Sequence, residues 1–189
     1  REILSLKVNV VTMGNHTWGK KEIFNFIDDK QIIRPANYSP NNPGRGYDIY
    51  ECNGKKIAVI NLIGRTTMSV LSENPFLVVK EIIKKVKSQV DIIIIDFHAE
   101  ASAEKLCFGR YLSDFGVSMF VGTHTHVQTA DEKIVNNMAY ITDVGFCGAY
   151  ESIIGMEYDT SVKRLLTLMP ERYEVATCDV AQINAVEVS

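Results

Sequence analysis

The stretch VDIIIIDF, residues 90–97, limits the architecture more than any other part of the chain. Four consecutive isoleucines place β-branched apolar side chains on both faces of an extended segment, so the strand has to be covered on both sides. That is the position of an inner strand in a largely parallel sheet. Eight residues are too few to cross a bilayer as a helix. Around this strand, apolar runs bounded by turn residues alternate with segments of helical period. LKVNVVTM (6–13), VSMFVGT (117–123) and MAYITDVG (138–145) read as strands. NPFLVVKEIIKKVKSQ (74–89), with Pro75 in its first turn, and SAEKLCFGRYLSDF (102–115) read as helices. The alternation predicts an α/β layer architecture.

Shorter signals fill in the remainder. KKEIFNFIDD (20–29) reads as an amphipathic helix with Ile23, Phe24, Phe26 and Ile27 mostly on one face. A Pro- and Asn-rich loop follows at 34–46. YDIYEC and KKIAVINLIG flank Asn53-Gly54, the dipeptide that adopts a type I′ turn at least cost, and so predict a β-hairpin. The lysines of 74–89 read as a solvated face. Residues 172–188 alternate like an antiparallel pair exposed on one side. No linker, repeat or low-complexity stretch divides the chain, so residues 1–189 read as one domain. Arg1 is not an initiator Met and REILSL looks like the last turn of a helix, which leads to the expectation that the domain is N-terminally incomplete.

A formal charge of −3 creates no field that would gather nucleic acid or an anionic membrane, so a phosphate-bearing ligand would need a local positive charge such as a metal ion. Cys52, Cys107, Cys147 and Cys178 stand far apart, with no C-x-x-C pair, and read as reduced packing residues. With no signal peptide at the start of the chain, the expected location is the cytoplasm.

The four histidines, His16, His98, His124 and His126, each follow a predicted strand. In open α/β sheets ligands gather beyond the carboxyl ends of strands, so this placement suits a single shared site. Any one of these imidazoles, taken alone, reads equally as a satisfied structural residue; as a set with neighbouring Asn and Asp they have the make-up of a metal or catalytic centre. His124 and His126 are two apart, and extended backbone would turn both rings to one side, with Gly122 allowing close backbone approach just before them. His98 could supply a third nitrogen, and Asn15 an amide oxygen. His16 would then point elsewhere, better placed to move a proton than to bind metal. Asp96 and Asp143 could orient ligand imidazoles from behind, or equally cap a helix or turn.

The ordered motifs TMGNHTW, RPANY, DFHAEA, VGTHTHVQTADE, AYITDVG and IGM resemble the calcineurin-like metallophosphoesterases, and within them the YmdB-like branch, across nearly the whole chain. The resemblance implies a layered sandwich of mixed β-sheets flanked by helices. It implies two divalent ions, iron or manganese favoured and zinc possible. Asn15, His98 and His124 would bind one ion and His126 would belong to the other, with His16 as proton donor to the leaving group. The implied reaction is hydrolysis of 2′,3′-cyclic nucleotides to nucleoside monophosphates by a hydroxide bridging the ions. A small-molecule phosphodiester is thus the expected partner, with homo-oligomerisation also possible. Two departures from the wider superfamily, Thr17 in place of an acidic residue and GTHTH in place of the G-H-x-H opening, agree with the YmdB-like branch. The family's opening, a first strand ending in G-D-x-x-G and a second strand carrying E-N, does not occur here, and neither Glu2 nor Glu22 can stand in for those ligands. A catalytically impaired nucleotide-binding regulator and a phosphoprotein phosphatase of the same superfamily are the alternatives. Retention of His16 speaks against the first.

Overall fold

A computed structural model of the chain describes residues 2–189. A one-turn helix α1 (Glu2–Ser5) leads into β1 (Val11–Thr12), so only two residues of the apolar run 6–13 are in a ladder. β1 pairs in parallel with β2 (Ile32–Ile33), a strand whose two apolar residues give no readable alternation. Between them the expected amphipathic α-helix is instead a 3-10 helix over Lys21–Asn25. Lys20 at its start makes no side-chain cap, and Ile23 and Ile27 seat against Ile32 in a small core of their own. Three residues per turn also changes the face: Ile23 and Ile27 are buried at 4% and 1%, whereas Phe24 is turned outward at 56% exposure.

β3 (Tyr47–Cys52) and β4 (Lys55–Ile63) form the expected hairpin, closing at Cys52 opposite Lys55. Asn53 and Gly54 have φ of 50° and 73°, the left-handed pair that a type I′ turn requires. Helix α2 (Pro75–Val86) begins where the Asn74 side chain accepts the Phe76 N–H at 3.0 Å, and it ends with Lys84 and Lys85 against the carboxyl-terminal dipole. β5 (Ile92–His98), α3 (Ser102–Leu112), β6 (Met119–Thr123), β7 (Lys133–Val135) and β8 (Met138–Ile141) follow. The chain then runs through β9 (Cys147–Ala149), α4 (Tyr158–Thr167) and β10 (Ala181–Ile183).

The main sheet has the order β3-β4-β5-β6-β8-β7, with β4, β5, β6 and β8 parallel and the two edge strands antiparallel. One face is the principal core. Ile93, Ile95 and Phe97 of β5 pack there with Val79, Ile82 and Ile83 of α2 and Phe108 and Leu112 of α3. The other face of β5 is less thoroughly covered than four isoleucines suggest, since Ile92 and Ile94 are half-buried.

Two expectations need correction. Residues 172–188 do not pair with themselves: β10 pairs antiparallel with β9, Ile183 opposite Cys147, and Val175 bridges to Met156. No turn dipeptide lies between the halves of that segment to close a local hairpin. The four cysteines are free, as expected, but all are exposed and none is a packing residue. Cys107, for example, points outward from a helix whose buried positions are Lys105, Phe108, Gly109 and Leu112. Among the described residues no helix is long and apolar enough to cross a membrane.

Candidate metal centre

Parallel pairing aligns His98, the last residue of β5, with Thr123, the last residue of β6, so His98 and His124 leave neighbouring strands at the same edge. The turn after β1 brings Asn15 to meet them. Thr17 closes this turn, its N–H and its hydroxyl donating to the Gly14 carbonyl at 3.1 and 2.6 Å. Gly14 itself lies so close to the His98 imidazole that a Cβ there would collide with the ring. As a result Asn15 Oδ1 stands 2.9 Å from His98 Nε2, and His124 Nδ1 stands 3.1 Å from the same nitrogen.

The groups behind these atoms decide which of them carry protons. The Thr123 hydroxyl donates to Asp96 Oδ1 at 2.8 Å, so its oxygen is left to accept from His98 Nδ1, 3.0 Å away. That fixes the proton on Nδ1 and leaves the Nε2 lone pair facing Asn15 and His124. Glu100 Oε2, 2.9 Å from His124 Nε2, fixes the second ring in the same way, with its Nδ1 lone pair facing His98. An amide oxygen and a second bare imidazole nitrogen therefore face the bare His98 Nε2 at 2.9 and 3.1 Å with no proton between them. Such an arrangement repels itself unless a cation joins it. Ligand bonds of about 2.1 Å meeting near a right angle put adjacent donors about 3 Å apart, which is the spacing present. The residues therefore fit a single divalent ion.

Electrostatics point the same way. Burial pushes His98 down to about 3, reinforced by the neighbouring charge of His124. Burial also lowers His124, against the opposing pull of Glu100. Both rings are neutral near pH 7, the form that ligates. Asp96 is raised to about 6 by burial, with hydrogen bonds from Thr12 and Thr123 working against the rise.

His124 and His126 have φ of 108° and 63°, so the backbone between them is not extended and the expected same-side placement by strand period does not apply. The reason lies in Thr125. Its N–H and hydroxyl both donate to Asp143 Oδ2, at 3.1 and 2.8 Å, winding the segment around a buried carboxylate. Asp143 also accepts the Gly145 N–H at 2.9 Å and pairs with Lys105 Nζ at 2.7 Å, with side-chain exposures of 0% for Lys105 and 1% for Asp143. Burial raises the Asp143 carboxyl, but Lys105 and these donors outweigh it and hold the group below its ordinary value. Gly122 is needed because a Cβ there would run into the Thr142 carbonyl and the Lys105 stem.

His126 consequently has partners of its own. Its Nδ1 bonds the Ile154 carbonyl at 3.0 Å and its ring stacks on Phe146, with centroids 5.7 Å apart. His16, in the turn after β1, is exposed. Among the described residues no three His, Cys, Asp or Glu side chains come together to hold an ion, because the third donor of the centre is an amide. Glu100, Thr123, Thr125 and Lys105 are the residues that sequence reasoning missed. Glu100 lay in view two positions after His98, while Lys105 looks like any solvated helix lysine.

Comparison with known proteins accords with this geometry. A family model described as YmdB-like protein matches residues 1–189. The chain is 51% identical over 170 residues to the 2′,3′-cyclic-nucleotide 2′-phosphodiesterase of Bacillus subtilis (strain 168), covering 89% of this chain and 64% of that protein. It is 40% identical over 187 residues to a putative phosphatase/phosphodiesterase of Mycoplasma pneumoniae, covering 95% of this chain and 65% of that one. The chain thus spans just under two thirds of the length of these curated relatives. A crystal structure of a hypothetical protein from Thermus thermophilus superposes with a TM-score of 0.87 at 33% identity, over 93% of this chain and 69% of that one. The mixed α/β architecture and the motif order agree with these matches, and the chain belongs to the YmdB-like protein family.

Proposed function

We propose that the protein is a metal-dependent phosphodiesterase that opens 2′,3′-cyclic nucleotides to nucleoside monophosphates. The observation that carries the reading is the convergence of three unprotonated donors, with Asn15 Oδ1 and His124 Nδ1 standing 2.9 and 3.1 Å from His98 Nε2. These three would hold one divalent ion; imidazole with amide and carboxylate donors suits iron or manganese, and zinc is also compatible. When bound, such an ion supplies Lewis-acid charge that polarises the phosphate. His126, with Nδ1 engaged by the Ile154 carbonyl, has Nε2 left to serve a second ion. His16 is exposed at the edge where the donors gather and would protonate the departing ribose oxygen. The 2′,3′-cyclic-nucleotide 2′-phosphodiesterase activity for which the Bacillus subtilis relative is named supports the choice of substrate. Four free, exposed cysteines suit a reducing compartment, and we place the protein in the cytoplasm.

The test is turnover of 2′,3′-cyclic AMP by the full protein with added Mn²⁺, against a chelated control and a phosphopeptide substrate, with metal content measured in the wild type and His124→Ala. Manganese-dependent opening of the cyclic nucleotide and depletion of metal in His124→Ala are expected. A preference for the phosphopeptide, or metal bound without any turnover, refutes the activity. Equal metal occupancy in wild type and variant refutes the ligand assignment.

A further inference from the structure

The turn that carries Asn15 and His16 also carries Trp18, the only tryptophan among the 189 residues. This partly buried indole packs against the Ile23–Ile27–Ile32 cluster. Its ring is stacked on Phe24, with centroids 5.6 Å apart and planes within 9°. Phe24 has no place in the cluster: the 3-10 geometry of Lys21–Asn25 turns it out to 56% exposure. An exposed Phe stacked on a Trp adds little to the core; what it does is carry aromatic surface outward from Trp18 into solvent. Tyr38 ties this surface to the metal centre. Its ring lies 6.3 Å from Trp18, and its hydroxyl donates to the carbonyl of Gly14 at 3.2 Å, the residue pressed against His98.

We propose that Trp18 and Phe24 form an aromatic ledge beside the Asn15–His98–His124 centre, on which the base of the nucleotide substrate stacks. The inference rests on the cyclic-nucleotide reading above and adds to it how the base is held. Every nucleobase has a π-face, and aromatic side chains bind it with little regard to its hydrogen-bonding edge. The ledge offers area and no edge-reading partner, so it favours purines over pyrimidines through overlap while accepting all four bases. It fixes the end of the substrate remote from phosphorus, and its contribution appears in binding and not in the chemical step.

Two measurements on the full protein test it. In kinetics, Phe24→Ala should raise KM for 2′,3′-cyclic AMP about ten-fold, within the range of one lost base stack, with kcat nearly unchanged. KM for a base-free methyl riboside 2′,3′-cyclic phosphate should stay the same, and Phe24→Tyr should restore wild-type behaviour. An unchanged KM for cyclic AMP, or an equal rise for the base-free substrate, overturns the ledge. In binding, adenosine should change Trp18 emission saturably in wild type and about ten-fold more weakly in Phe24→Ala, while ribose should leave it unchanged. If neither cyclic phosphate is turned over but the Phe24-dependent adenosine signal persists, the phosphodiesterase reading fails and the ledge stands. If adenosine leaves Trp18 emission unchanged, the ledge fails whatever the turnover.

Discussion

Replacing Lys105 by Met removes the cation facing a carboxylate buried to 1% side-chain exposure, 2.7 Å away. Breaking one side of a buried ion pair costs about 3–5 kcal/mol, because the remaining charge is left without its partner. Asp143 keeps three donors, the Thr125 N–H and hydroxyl and the Gly145 N–H, so the lower end, about 3 kcal/mol, is expected at pH 7. Methionine retains an apolar stem beside Gly122, which limits any cavity contribution. The pH dependence supplies a sharper signature. In the wild type Asp143 is held below its unfolded value, so its contribution is present above the unfolded pKa and is lost as pH falls through the folded one. Burial is already the largest single influence on Asp143, and without Lys105 only the Gly145 and Thr125 donors oppose it, so the folded pKa should rise above the unfolded value and reverse the sign. The deficit of Lys105→Met should therefore shrink as pH falls from 7 towards about 4, where protonation removes the uncompensated charge. Urea unfolding of both proteins at several pH values is the assay. The double variant Lys105→Met/Asp143→Asn should recover much of the loss, since neutral pairs often replace buried ionic ones at little cost. A deficit below about 0.5 kcal/mol at pH 7, typical of a surface substitution, would refute the reasoning, as would a deficit independent of pH.

Two further outcomes follow from the centre. His16→Ala should lower turnover by about 100-fold or more while leaving bound metal nearly unchanged, as measured by steady-state kinetics and elemental analysis; metal loss would remove His16 from the proton-donor role. Glu100→Gln should weaken metal binding by about ten-fold or more without unfolding the chain, because Glu100 fixes the His124 tautomer from a half-exposed position. Metal titration followed by circular dichroism checks both parts.

What could be seen in the sequence was what depends on local chemistry. Asn53-Gly54 needs no distant partner to make its turn, and Asn74-Pro75 starts a helix by the same local means, so both elements stand where expected. The isoleucine run marks an inner strand, and His98 at its end sits beside His124 because parallel neighbours finish together. Phe24 and the C-terminal segment came out otherwise because their partners lie elsewhere. The 3-10 turn is selected by how Ile23 and Ile27 seat against Ile32, and β10 pairs with β9 some thirty residues earlier. His126 illustrates the same limit: a period of two implies same-side rings only if the backbone is extended, and the buried Asp143 had already wound it. The tautomers of His98 and His124 rest on Thr123, Asp96 and Glu100, and no spacing rule announces such contacts.

The alignment of β5 with β6 has a further consequence. Side chains alternate along a strand, so sliding β5 by a single residue would bring Phe97 to the open edge and drive His98 towards Phe108 and Phe120. A cation captured by the three donors rewards only the correct pairing, and by mass action it penalises every slipped alternative. Beyond any chemistry it performs, the ion would act as a proofreader of strand register.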